Sequence, residues 1–173
     1  KTGILGARQM EMRVVGTLPD WFDVVARPVL AGRVLTDHDI LAKATVRVLT
    51  EKGARSLLGG RHTIGQTLRL GPAFFRIVGI VRNAEAGGAM QTPDRDTDAY
   101  IPMNTGIERF GEAEMQRSAS SYAMEKVELS QIIVEMESVK AVERGMVAIE
   151  AMLRRFHKKS DYRVDVPLAL LRE

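Results

Sequence analysis

No cysteine occurs in the 173 residues, which excludes both a disulfide framework and a thiolate metal site. Its absence suits an oxidising compartment without proving one. Aromatic residues make up only 5% of the chain, too few for the stacking platforms that hold single-stranded nucleic acid. The positive excess is small: 25 Lys and Arg against 22 Asp and Glu give a formal net charge of +3. Without clustering, that does not make an electrostatic footprint for phosphates, so no nucleic-acid partner is expected. No apolar run approaches the roughly 18 residues of a membrane-spanning helix, and no secretory leader pattern is visible. Histidine is scarce too. His38, His62 and His157 fall in a helix cap, a turn and a helix end, none with a serine at motif spacing. No nucleophile–base–orienter set follows from them, and an enzyme is not expected.

What is present reads as an ordinary globular domain, with 45% hydrophobic and 27% charged residues and a length that buries about 70% of the unfolded surface. The chain is organised around 46–82. Val46–Leu49 is β-rich, and a short helix follows with Thr50 as N-cap, Glu51 in its first turn, and Ala54, Leu57 and Leu58 on one face. Gly59-Gly60 stops it. Thr67–Leu70 and Phe74–Val81 predict a hairpin joined at Gly71-Pro72. The second strand is apolar on both faces, the mark of a central position. Gly60 to Thr67 nearly spells a phosphate-binding loop, but Gln66 stands where the lysine belongs. A helix also precedes it and a strand follows, the reverse of the required order. A helix-to-strand turn is the better reading.

Met10–Leu18 predicts a strand and Pro19-Asp20-Trp21-Phe22 a helical start, its aromatic pair packing on the core. Thr36 with Asp39 predicts a capping box ahead of Ile40-Leu41. Asp37, His38 and Asp39 point in different directions on a helical turn and do not make a metal site. Asn83–Asp98 reads as a long loop. Its Asp94, Asp96 and Asp98 begin like a calcium loop, but Ala99 stands at the obligatory glycine and no glutamate closes it. Ala99–Met103 predicts a short strand, with Pro102 marking an edge or a strand end. Thr105–Phe110 predicts a helical turn, and Glu112–Glu125 a polar surface segment. Val127–Met136 predicts a strand and Ser138 caps a helix. Val142, Met146, Ile149, Leu153 and Phe156 form its buried stripe. Its basic end suits the helix dipole, and Asp161–Val166 predicts a closing strand. Strand, helix and strand make a βαβ-type unit. The start at Lys1 and the end at Leu170-Leu171-Arg172-Glu173 lead us to expect an excised piece of a longer chain.

In order and spacing these segments resemble the extracytoplasmic core domain of MacB/FtsX-type ABC transporter permeases. The resemblance runs through V-x-G-T-x-P-D-W-F (Val14 to Phe22), A-G-R (Ala31 to Arg33) and V-x-V-L-x-x-x-x-A-R-x-L-L-G (Val46 to Gly59). I-G-Q-T-L-R-L (Ile64 to Leu70) and F-R-I-V-G-I-V (Phe75 to Val81) continue it. Y-I-P-M, I-I-V-E, L-R-x-x-H (Leu153 to His157) and D-Y-x-V-x-V-P complete it. What the resemblance implies is an α+β fold of mixed sheets. A porter-like βαβ subdomain (1–27 plus 126–173) would join a second, mixed α/β, Sabre-like subdomain (28–125). The family usually places a further strand and helix ahead of the segment matching Met10–Leu18, whereas nine residues precede it here. The domain would sit between the first two transmembrane helices of a four-helix permease, on the periplasmic side of the membrane. Such permeases act as homodimers with a cytoplasmic ATPase, so ATP is expected there and no cofactor in this domain. Some expel macrolides, peptides or toxins through a periplasmic adaptor, and relatives extract lipoproteins. For partner contact the candidates are Asp94, Asp96, Asp98, Glu112 and Glu114. A stand-alone extracytoplasmic domain that binds a small molecule or peptide is the alternative, and it predicts a preformed apolar cleft.

Overall fold

The computed structural model describes residues 12–59, 63–84, 97–114, 131–157 and 161–166. By compactness the chain forms two units, Lys1–Ala86 with Thr92–Gln131, and Gly87–Gln91 with Ile132–Glu173.

The first unit is a mixed sheet of six strands: β1 Val14–Thr17, β2 Val29–Gly32, β3 Val46–Thr50, β4 Thr67–Leu70, β5 Ala73–Val81 and β6 Ala99–Pro102. The order is β1-β6-β3-β5-β2, with β4 also on β5. β1 runs parallel to β6 and β3 parallel to β5; the remaining pairings are antiparallel. The sheet carries α1 Trp21–Val24, α2 Asp37–Leu41, α3 Glu51–Leu58 and α4 Met103–Glu114. β5 is central, as its two apolar faces require, and is the longest strand at nine residues. One of its edges holds β3, while β4 and β2 share the other.

Two apolar clusters cover the two faces. Phe22, Leu35, Val46, Val48, Val78, Val81 and Tyr100 form one, with Phe22 set edge-on to Tyr100 at 5.2 Å between centroids. Trp21 is half-buried against this cluster, as its place beside Phe22 predicts, although its Nε1 finds no acceptor among the described residues. Leu49, Ala54, Ile77 and Ala99 form the other cluster, with Met12, Val14, Leu58 and Leu68 packed around it. Between Arg47 and Val48 the register with β5 shifts by one residue. That bulge explains how Val78 and Val81 come to one face while Ile77 and Ile80 lie on the other.

Several local expectations hold. Thr50 Oγ1 accepts from Gly53 N at 3.1 Å, and Gly59 closes α3 in the left-handed region at φ 60°. The hairpin turns at Gly71, also left-handed at φ 56°. Others need correction. β1 is shorter than Met10–Leu18, and α4 extends well beyond Thr105–Phe110, with a break at Gly111. For Pro102 the strand-end alternative holds: it is the last residue of β6, which lies between β1 and β3 and is not an edge strand. β2 was not foreseen. Its VLAG run is exposed along its whole length, so it carries no alternating burial signal.

In the second unit, α5 Val139–Phe156 is capped by Ser138, whose Oγ accepts from Ala141 N at 3.3 Å. Residues 131–136 and 161–166, expected as strands, are not strands. A ladder needs a partner edge, and none of the described residues offers one to either segment. Val127–Ser130 lie outside the described residues. On the predicted stripe, Val142, Met146, Ile149 and Leu153 are half-buried, but Phe156 is 74% exposed and no α5 residue is fully buried.

Candidate functional site

The most connected charged group sits at the entry to α2. Thr36 and Asp39 form the predicted capping box: Thr36 N and Oγ1 both donate to Asp39 Oδ2 at 2.9 Å, and Asp39 N returns to Thr36 Oγ1. Arg33 closes the group with a two-pronged contact, Nη1 to Oδ2 at 2.6 Å and Nη2 to Oδ1 at 3.1 Å. Burial pushes the Asp39 carboxyl up, but hydrogen bonds from Arg33 and then Thr36, with the arginine charge, outweigh it and hold the pKa low. The Asp39 residue is 3% exposed, and both its carboxylate oxygens accept hydrogen bonds. It organises structure and offers no free acceptor to a ligand.

The sign of that shift fixes a pH dependence. A depressed carboxyl contributes stability that is present above the ordinary aspartate range near ~4 and lost as pH falls through its folded value. Because Arg33 is partly exposed, we expect Asp39→Asn to cost about 1–2 kcal/mol at pH 7. The gap from the parent protein should close in acid. Urea melts at pH 7 and pH 3 measure both, and a gap that stays constant across them contradicts this reading.

Asp98 is the one partner-contact candidate whose side chain falls among the described residues. Its Oδ2 accepts from Arg13 N at 3.0 Å, and its backbone oxygen accepts from Thr50 N at 3.0 Å. The residue thus ties β1 and β3 to the start of β6. Asp94 and Asp96 lie outside the described residues. Glu112 and Glu114 occupy the last turn of α4, beyond the left-handed Gly111. His62 and the rest of the phosphate-loop look-alike up to His62 are also outside. His157 Nδ1 meets Asp161 Oδ1 at 2.9 Å and its ring lies edge-on to Tyr162. That supplies a carboxylate, and among the described residues no serine joins the pair. Among the described residues no group of three or more His, Cys, Asp or Glu could hold a metal ion.

Sequence reasoning overlooked Arg47. It lies on the second apolar face of β3, is 0% exposed, and none of its three guanidinium nitrogens has an acceptor among the described residues. Burial pushes its pKa down to about 10. The only signal in the sequence was a charged residue inside Val46–Leu49, a run otherwise apolar.

The family model described as "MacB-like periplasmic core domain" matches residues 2–152. The chain belongs to this family. The resemblance drawn from Val14–Phe22 onward therefore holds at the level of the domain. Among relatives, the "Macrolide export ATP-binding/permease protein MacB" of Chlorobaculum tepidum is 27% identical over 84% of this chain and 20% of its own. The "Pyoverdine export ATP-binding/permease protein PvdT" of Pseudomonas aeruginosa is 24% identical over 91% of this chain and 22% of its own. The chain thus spans about a fifth of the length of these relatives. Among solved structures, the periplasmic region of MacB from Actinobacillus actinomycetemcomitans aligns with TM-score 0.61 at 19% identity, covering 91% of this chain and 62% of that one. The extracellular domain of the noncanonic ABC-type transporter YknZ, from Gram-positive bacteria, aligns with TM-score 0.60 at 20% identity, covering 88% and 69%. At such identities the structures establish a shared mixed α/β fold. No helix among the described residues is long and apolar enough to cross a membrane.

Proposed function

We propose that this MacB-like periplasmic core domain is the extracytoplasmic part of an ABC transporter permease and couples ATP-driven motion across the membrane to export of a substrate. The observation that carries the proposal is the family match over 2–152; the export permeases among the relatives support it. In this reading the domain is a lever. Its sheet holds shape while a second permease copy, a cytoplasmic ATPase and a periplasmic adaptor act on it or through it. ATP binds elsewhere in the assembly.

The acidic residues ahead of β6 are proposed to meet such a partner. Asp98 is committed to Arg13, so the test falls on Asp94 and Asp96. Reversing both to lysine in the whole transporter should lower export about tenfold, the effect of losing ~1.4 kcal/mol of partner binding. The isolated domain should keep its melting temperature. Unchanged export, or a domain that melts early, counts against the proposed contact. The permease assignment has its own test: the parent protein should carry apolar runs of about 20 residues flanking this domain.

A further inference from the structure

The buried guanidinium of Arg47 is the one feature of the sheet that its own packing does not explain. Arginine has five N–H donors and no acceptor, and buried charges are normally paired because an unpaired one loses its hydration without return. Here Nε, Nη1 and Nη2 are all enclosed and unmatched among the described residues. Arg47 is registered beside Ile77 and shares a face of β3 with Leu49; the cluster on that face is Leu49, Ala54, Ile77 and Ala99. A group left unsatisfied in a well-packed core points to an ion or ligand that belongs there.

The cover over this face is α3, and its two ends are held differently. The first turn is pinned. Thr50 Oγ1 donates to Thr97 O at 3.0 Å and accepts from Gly53 N, while Lys52 N donates to Asn83 Oδ1 at 3.0 Å. Gly53 sits so close to the next strand that a Cβ there would lie 2.1 Å from Asp98 O. In the last turn Leu57 and Leu58 are half-buried, and Gly59 has open space around it. α3 follows β3 without a loop, and Leu58 in its last turn packs on the cluster that contains Ile77, the residue registered beside Arg47.

We propose that Arg47 is a receptor for an oxoanion, a carboxylate or a phosphate, admitted when the last turn of α3 lifts away from the sheet. The planar guanidinium fork fits two oxygens of either group, and the enclosing apolar residues strengthen the contact once water is excluded. This site is independent of the transport reading.

The test uses the domain as it is, melted in sodium chloride, sodium acetate and sodium phosphate at one ionic strength, beside Arg47→Met and Arg47→Lys. Phosphate raises the stability of most proteins by exclusion from their surface, so the readout is the difference between variants. The parent domain is expected to gain about 2–4 °C more than Arg47→Met in phosphate or acetate. Arg47→Lys, which keeps the charge but not the fork, should fall between them. Hydrogen exchange at residues 55–59 should slow on anion addition in the parent alone. A gain in acetate only identifies a carboxylate; a gain in phosphate identifies a phosphoryl-type anion. Equal responses in the parent and Arg47→Met, or no response in either salt, overturn the proposal.

Discussion

Gly79→Ala should cost the first unit more than 4 kcal/mol, enough to prevent folding at ordinary temperatures. Gly79 lies inside β5, opposite Val48 of β3 and Gly32 of β2. A Cβ there would stand 1.9 Å from the carbonyl oxygen of Arg33, and 3.2 Å from its nitrogen. Both are backbone atoms, so no side-chain rotation relieves the clash. The crossing is tight from the other side as well: a Cβ on Gly32, itself left-handed at φ 69°, would lie 2.2 Å from Val78 O. Alanine therefore forces β2 off β5 and displaces Arg33, which holds Asp39. Gly59→Ala provides the comparison. It has open space and only an unfavourable φ of 60°, so it should cost about 1 kcal/mol. Urea denaturation of the two variants decides the matter. If Gly79→Ala is as stable as Gly59→Ala, the approach of β2 to β5 is not as described.

The second large effect has the opposite sign. Arg47→Met is expected to stabilise the domain by about 1–3 kcal/mol at pH 7, since an apolar side chain of similar length removes an unpaired buried charge. For a chain of this size each kcal/mol raises the melting temperature by about 2–4 °C. Burial holds the Arg47 pKa down at about 10, below its unfolded value. The cost of the charge is therefore borne in full below pH 10 and diminishes as pH rises through it. A melt at neutral pH in plain chloride measures the gain. Loss of stability would mean that Arg47 has an acceptor in the folded chain, and both this prediction and the anion site would fail together.

How much of this was legible beforehand divides by range. Thr36 with Asp39, Thr50 with Gly53, and Ser138 with Ala141 are each three residues apart. Their side-chain oxygens and the amides they cap meet through local geometry alone, so a reader of the sequence finds them. The same is true of the Gly71-Pro72 turn and the left-handed Gly59. Segments 131–136 and 161–166 are not strands because alternation describes a surface able to pair, while a ladder exists only when a second edge arrives. β2 was missed for the converse reason. Its exposed VLAG run shows no alternation, yet β5 offered it an edge. Nor could the sequence say that Asp98 would be spent on Arg13, 85 residues away.

By itself, then, the sequence determined the helix caps, the αβ hairpin core, the apolar central strand and, through their order, membership of the family. Those features depend on contacts within a few residues or on a pattern spread along the whole chain. Only the tertiary structure decided which strands are neighbours, that β6 with Pro102 at its end lies between two other strands, and that Arg47 is enclosed without a counter-charge among the described residues. Burial and pairing belong to two or more segments at once, and their free energy appears only when distant stretches of chain displace water from the same place.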